Sequence, residues 1–236
     1  VLVLSVIGEG LIQAGKLLIT GDPEMLEITW RTLQVSGTAT LISVILGVPL
    51  GVVLALRKFI GRWLLISIIN FGMGLPPVVV GLVTWIFLTR YGPLGSLGLL
   101  YTPTAMIIAQ VIIAFPIVAG FTVAAIQAIN PKMYFQILAL GANRWQLLWL
   151  MLREARLGLL AAVIAGFGGV ISEVGASIMV GGNIKGLTRV LTTAISLDVS
   201  KGEFELATAL SVILLLLTFV ITAVLTGYQQ HRRQPQ

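Results

Sequence analysis

Residues 32–56 read TLQVSGTATLISVILGVPLGVVLAL, twenty-five positions without one charged side chain. A helix crossing a hydrocarbon core of ~30 Å needs about 20 predominantly apolar residues, and this run supplies them. Ser36, Gly37, Thr38, Ala39, Thr40 and Ser43 keep the run rich in small side chains. Gly47 and Gly51 add a small-xxx-small pair around Pro49, a pattern that lets helix backbones approach closely in lipid. Arg57, Lys58 and Arg62 close the run with positive charge.

The rest of the chain has the same character. Of its 236 residues 57% are hydrophobic and only 10% charged, with mean hydropathy +1.02. A water-facing surface needs nearer a quarter of charged residues, so lipid must cover much of this chain. The formal charge of +6 does not point to nucleic acid, because the basic residues are scattered and the aromatics lie within apolar runs. There is no cysteine, and the one histidine is His231, near the end of the chain. Thiol chemistry, disulfides and His- or Cys-based metal sites are thereby excluded, and no catalytic or metal-ligating set is expected. The chain opens on Val1 and not on Met, so a few native residues are expected to precede it. No cleavable signal is required, since a membrane span is itself an insertion signal.

Four further spans follow from the same reading. The second, about Trp63–Leu88, is interrupted by Gly72-Met-Gly-Leu-Pro-Pro77; Pro76 and Pro77 remove two backbone donors and must at least kink the helix. They are candidates for a hinge or a cavity-lining break. A Gly/Pro-rich loop over 90–103 leads to the third span, about Thr104–Ile129, and the fourth is expected over Leu157–Val180. A polar loop over 181–204 precedes the fifth, about Glu205–Gly227, and residues 228–236 form a short tail. Residues 1–20 carry Glu9, Gln13 and Lys16 on one helical face, opposite Val3, Ile7, Leu11 and Leu18. This pattern predicts a helix lying in the membrane interface, with a crossing helix as the alternative. A turn at Gly21-Asp-Pro-Glu24 separates it from the unit spanning residues 24–227. The fold class is therefore an all-α integral membrane protein of about five transmembrane helices.

Basic residues set the orientation. Arg57, Lys58, Arg62, Lys132, Arg144, Arg153, Arg156, Arg232 and Arg233 fall on one side of the five-span arrangement. Lys16, Arg31, Arg90, Lys185, Arg189 and Lys201 fall on the other, together with seven of the nine acidic residues. The first side is expected to be cytoplasmic, which places the N-terminus outside and the C-terminus inside the cytoplasmic membrane.

Gly10-Leu-Ile-Gln-Ala-Gly-Lys-Leu17 matches a phosphate-binding loop for seven positions, but Leu17 stands where a magnesium-holding Ser or Thr is needed and no strand precedes it. The segment Asn130–Arg156 is more informative. Pro131 starts a short stretch with Met133, Ile137 and Leu140 at helical spacing, and Gly141 can end it. Asn143 and Gln146 have the spacing of a capping box, and Trp145, Leu148, Trp149 and Leu152 form a second stripe. A helix, a glycine corner and a second helix exceed what a simple connection needs, and point to a docking elbow for a cytoplasmic partner.

The elbow Ala139-Leu-Gly-Ala-Asn-Arg-Trp-Gln146 resembles the coupling motif of ABC importer permeases, with Phe135-Gln136-Ile137 in place of its usual acidic and alanine opening. Ile171-Ser-Glu-Val-Gly-Ala176 is similar to a segment of molybdate, tungstate and sulfate importer permeases. Its continuation from Met179 to Ile195, and Gly202-Glu-Phe-Glu-Leu-Ala207, resemble the tungstate branch. The resemblance implies a homodimer, two ATPase subunits that carry the ATP and magnesium, and an extracytoplasmic oxyanion-binding protein. It implies ATPase coupling through Ala139, Leu140, Gly141, Ala142, Asn143 and Arg144. Glu173 is the one acidic residue expected inside a span, where such groups face protein or water. It is a candidate gate residue beside Ser172, with a structural hydrogen bond as the alternative. Backbone amides near Gly181 and Gly182, with Asn183, Ser177 and Thr188, are the groups chemically suited to an oxyanion. The competing class is a secondary transporter or channel that works without an ATPase.

Overall fold

The computed structural model describes residues 2–231, and every regular element among them is helical. The expected basic residues Arg232 and Arg233 lie outside the described residues. In chain order the α-helices are α1 (Leu2–Thr20), α2 (Pro23–Leu56), α3 (Arg62–Met73), α4 (Pro77–Leu88), α5 (Pro103–Gln127) and α6 (Pro131–Ala139). They continue as α7 (Arg144–Glu154), α8 (Arg156–Ile171), α9 (Gly175–Gly181), α10 (Leu191–Lys201) and α11 (Phe204–His231). Helices α2, α5 and α11 are each long and apolar enough to cross a membrane, and two bent pairs bring the number of spans to as many as five.

Helix starts follow local chemistry. Asp22 caps α2, its carboxylate accepting from the Met25 amide at 2.9 Å, with Pro23 at the first helical position. The helix thus begins well before Thr32, and the acidic approach over Glu24–Glu27 is its first turns. Thr102 and Asn130, each followed by proline, cap α5 and α6 in the same way. Pro49 and Pro116 sit inside α2 and α5 without ending them. Helix α11 runs on past Gly227, so the start of the expected tail is helical.

The scaffold is α2 packed along α5, with α8 against both. Small residues permit the approach: a Cβ on Gly51 would stand 2.6 Å from Thr122 Cβ and 2.8 Å from the Ala119 carbonyl oxygen. Val35, Met106, Ala109, Ala114, Val170 and Val180 are buried where α2, α5, α8 and α9 meet. Helix α3 lies against α5, with Gly72 on Pro116. Helices α1 and α10 pack on α11, through Gly10 on Thr208 and the buried Ala14, Ala194 and Ala209. Residues 10–17 are helical, so the partial phosphate-loop match has no loop to bind with.

Two expected spans differ in form from the sequence reading. The second is not a kinked helix: α3 and α4 are bent by 101° at Gly74–Pro76. The fourth does not run unbroken to Val180 but stops at Ile171 and restarts at Gly175. Helix α7 also turns by 65° into α8.

The Gly51 contact predicts a selective cost. Gly51→Val should lower the stability of the detergent-purified protein by about 1–3 kcal/mol, read as an earlier thermal transition. Gly37→Ala, where a Cβ would meet nothing within 4 Å, should leave the transition in place. Equal melting of Gly51→Val and the wild type would contradict the α2–α5 packing.

Candidate functional site

The two broken helices meet. Helix α4 packs on α9 so tightly that a Cβ on Gly81 would lie 2.7 Å from Ala176 Cα, and one on Gly175 would lie 2.9 Å from a Val78 methyl. Pro76 and Pro77 are therefore beside the Ser172–Val174 break and not remote from it. The expected hinge and the expected gate residue form one junction.

Glu173 sits at its centre, 9% exposed. Its carboxylate accepts from the Ala176 amide at 2.8 Å, and its carbonyl oxygen accepts from the Thr192 hydroxyl at 3.0 Å. The side chain satisfies a backbone donor that the break would otherwise orphan. Ser172 donates back to the Gly168 carbonyl at 2.8 Å and stays at the exposed side of α8. Ser177, one turn beyond Glu173, is buried and accepts from the Gln110 amide nitrogen at 3.3 Å, which ties α9 to α5.

The groups expected to suit an oxyanion form a second, separate cluster at the far end of α9. Gly182 closes that helix in the left-handed conformation, φ +72°, and its amide donates to the Ile178 carbonyl at 2.8 Å. Asn183, also left-handed at φ +51°, accepts from the Thr193 hydroxyl at 2.8 Å and donates to the Thr193 carbonyl at 3.1 Å. Thr188 is fully buried, donating to the Gly181 carbonyl at 2.6 Å and accepting from the Ile184 amide at 2.9 Å. These polar groups hold the 182–190 loop closed on itself.

Helix α2 clamps that loop from outside. Arg31 donates to the Gly186 carbonyl at 3.0 Å and pairs with Glu27 at 2.5 Å, while Glu24 pairs with Lys185 at 2.6 Å and Arg189 at 3.6 Å. Nearby, burial pushes the Asp198 carboxyl up from the ordinary range, although Lys201 at 3.9 Å acts the other way. Gln110 and the Arg31 clamp are absent from the sequence reading. A lone glutamine in the apolar run of α5 was the available signal for Gln110, whereas the clamp pairs residues more than 150 positions apart.

At the opposite end of the bundle the elbow has its expected form. Leu140 follows α6 at 87% exposure, and Gly141 turns the chain at φ +79°. Asn143 and Gln146 complete the capping box reciprocally, at 2.8 and 2.9 Å. The α7 stripe divides: Leu148 and Leu152 pack toward α8, Leu147 and Met151 bury with Ile137, and Trp145 and Trp149 stay exposed. Arg153 lies over the Trp149 ring at 5.3 Å.

The Glu173 cap makes a prediction on stability. Glu173→Gln keeps an oxygen for the Ala176 amide and should melt like the wild type, whereas Glu173→Ala should cost about 1 kcal/mol or somewhat more. An alanine variant as stable as the wild type would remove the cap from the account.

Residues 47–234 match the family described as "Binding-protein-dependent transport system inner membrane component". The chain is 41% identical over 224 residues to the tungstate uptake system permease protein TupB of Peptoclostridium acidaminophilum, covering 95% of this chain and 98% of that protein. It is 40% identical over 204 residues to a probable anion ABC transporter permease protein of Haloferax volcanii, covering 84% and 88%. Among solved structures, a bacterial alginate ABC transporter in complex with a pentasaccharide-bound periplasmic protein shares the fold. Its TM-score is 0.74 at 21% identity, over 95% of this chain and 88% of that one. The chain belongs to the inner-membrane permease family of binding-protein-dependent transport systems, a family of transport subunits and not of enzymes.

Proposed function

We propose that the chain is the permease subunit of an ATP-driven importer that carries a tetrahedral oxyanion, tungstate, across the cytoplasmic membrane. The observation that carries this reading is the near full-length 41% identity to a tungstate uptake permease, joined to an elbow built for docking. Two copies of the chain form the pathway between them, because five spans make a thin wall; α4 offers Val79, Leu82, Val83 and Ile86 as an exposed apolar face. ATP and magnesium reside on two partner ATPases beneath the elbow, and a binding protein delivers the anion from outside. The N-terminal helix lies in the interface, the N-terminus is outside and the C-terminus is cytoplasmic.

In this reading ATP closes the ATPases, the elbows approach one another, and the spans open outward to receive the anion. Hydrolysis returns the pathway inward. The α4–α9 junction is the element suited to this motion, since both of its helices are already uncoupled from α3 and α8. Glu173 is not an anion ligand: its charge repels an oxyanion and its oxygen is bonded to Ala176. A secondary transporter would need titratable groups in the interior of its spans to couple an ion gradient. Glu173 alone lies there among the described residues, which disfavours that class.

Two tests address the assembly. A Cβ at Gly141 meets nothing within 4 Å, so Gly141→Val acts through backbone conformation alone, at about 1 kcal/mol or more. Gly141→Val and Leu140→Asp should reach the membrane at normal abundance yet lose ATPase co-purification or oxyanion-stimulated hydrolysis. Full coupling in both would reduce the elbow to a connector. Single cysteines at Lys58, Asn143 and Arg232 should react only with membrane-permeant reagents, and those at Asp22 and Lys201 with impermeant ones. External labelling at residue 143 would invert the orientation.

A further inference from the structure

The end of α2 and the elbow enclose a cleft of about 720 Å³ with two unlike walls. One wall is apolar and consists of Val52, Val53 and Leu56, from the last turns of a span. The other presents Arg57, Arg144 and the Trp145 ring. Among the described residues neither arginine takes part in an ion pair, and both are exposed.

The depth of the cleft can be argued from both sides. Helix α2 ends at Leu56, and the Arg57 amide still bonds to the Val53 carbonyl at 2.9 Å. Val53 therefore lies in the last turn of the span, and Arg57, the basic residue that closes the apolar run, stands about 6 Å farther along the axis, where the positive ends of spans meet the headgroups. Helix α7 joins the span α8 through Ala155 with a 65° bend. Its length of roughly 16 Å thus advances only about 7 Å along α8, so Arg144 and Trp145 stay near the same boundary. Trp is the side chain that settles at this level.

We infer that the cleft is a binding site for an anionic phospholipid of the adjacent leaflet. Arg57 and Arg144 hold the headgroup phosphate, and an acyl chain lies along Val53, which is 43% exposed, and Leu56. Charge complementarity selects the headgroup, since a basic pocket between membrane helices attracts anionic lipid at about fivefold per cation. The apolar wall selects a lipid over a soluble partner, because a water-soluble domain does not reach the last turn of a span. Such a domain meets the elbow tip at Leu140, which is not part of this cleft. Arg144 thereby belongs to a lipid contact that braces the elbow, beside the ATPase contact at the tip.

The test uses the full chain in nanodiscs, with Trp145 kept as the only tryptophan by W30F, W63F, W85F and W149F. Brominated phosphatidylglycerol should quench Trp145 at a mole fraction lower than brominated phosphatidylcholine by about fivefold for each arginine engaged. R57Q/R144Q should bring the two curves together, and K58Q, outside the cleft, should leave them apart. Native mass spectrometry of the unmodified chain should show retained phosphatidylglycerol that R57Q/R144Q loses. Equal quenching by the two lipids would overturn the site. So would release of phosphatidylglycerol by millimolar inorganic phosphate, which would mark a free-oxyanion site. Loss of the quenching when the ATPase binds would assign the cleft to that partner.

Discussion

Inside a bilayer there is no water to bond a backbone amide or carbonyl, so a helix can stop only where something else satisfies its ends. This chain breaks its helices twice within apolar stretches, at Gly74–Pro76 and at Ser172–Val174, and much of its architecture follows from how those ends are satisfied. At the first break Pro77 has no amide to leave unpaired, and the Val79 and Val80 amides both bond to the Pro76 carbonyl. At the second, the Glu173 carboxylate takes the Ala176 amide and the Thr192 hydroxyl takes the Glu173 carbonyl. Packing α4 on α9 then sets the two breaks side by side, with Glu173 buried between them. A carboxylate in a span is explained by this arrangement before any role in transport is assigned to it.

The breaks also divide the molecule into parts with different duties. Helices α2, α5 and α8 form a continuous scaffold whose small residues allow close packing. The α4–α9 pair is joined to that scaffold through residues 89–102, which lead from α4 to α5, and Ser172–Val174, which leads from α8 to α9. The 182–190 loop is locked by Thr188, Asn183 and Thr193 and clamped by Glu24 and Arg31. Its exposed pair, Lys185–Glu24, contributes little stability, about 0–1 kcal/mol.

The spans were legible in the sequence because their signal is composition over some twenty residues, which needs no tertiary information. The elbow was legible because Pro131, Gly141, Asn143 and Gln146 act through local backbone chemistry. The breaks were read only in part. Pro76-Pro77 announced one, but its 101° bend depends on packing against α9. The second break occurs in Ser172-Glu173-Val174, which contains no proline, so periodicity passed straight through it. The polar residues near Gly181 were read for their chemistry; the contacts that engage them come from α10 for Asn183, from α5 for Ser177 and from within the loop for Thr188, none of which periodicity describes. Arg144 was read as a docking charge from its own segment alone, whereas its neighbour Arg57 comes from a helix nearly ninety positions away.

The central claim is that a chain with no nucleotide site of its own moves an anion at the expense of ATP on a partner. The most direct measurement is radiolabelled tungstate uptake into vesicles holding the permease, its ATPase and its binding protein, with and without ATP at the ATPase side. The account predicts uptake against a gradient that requires ATP and ceases when the ATPase is inactivated. Concentrative uptake by the permease alone, driven by an ion gradient, would contradict it.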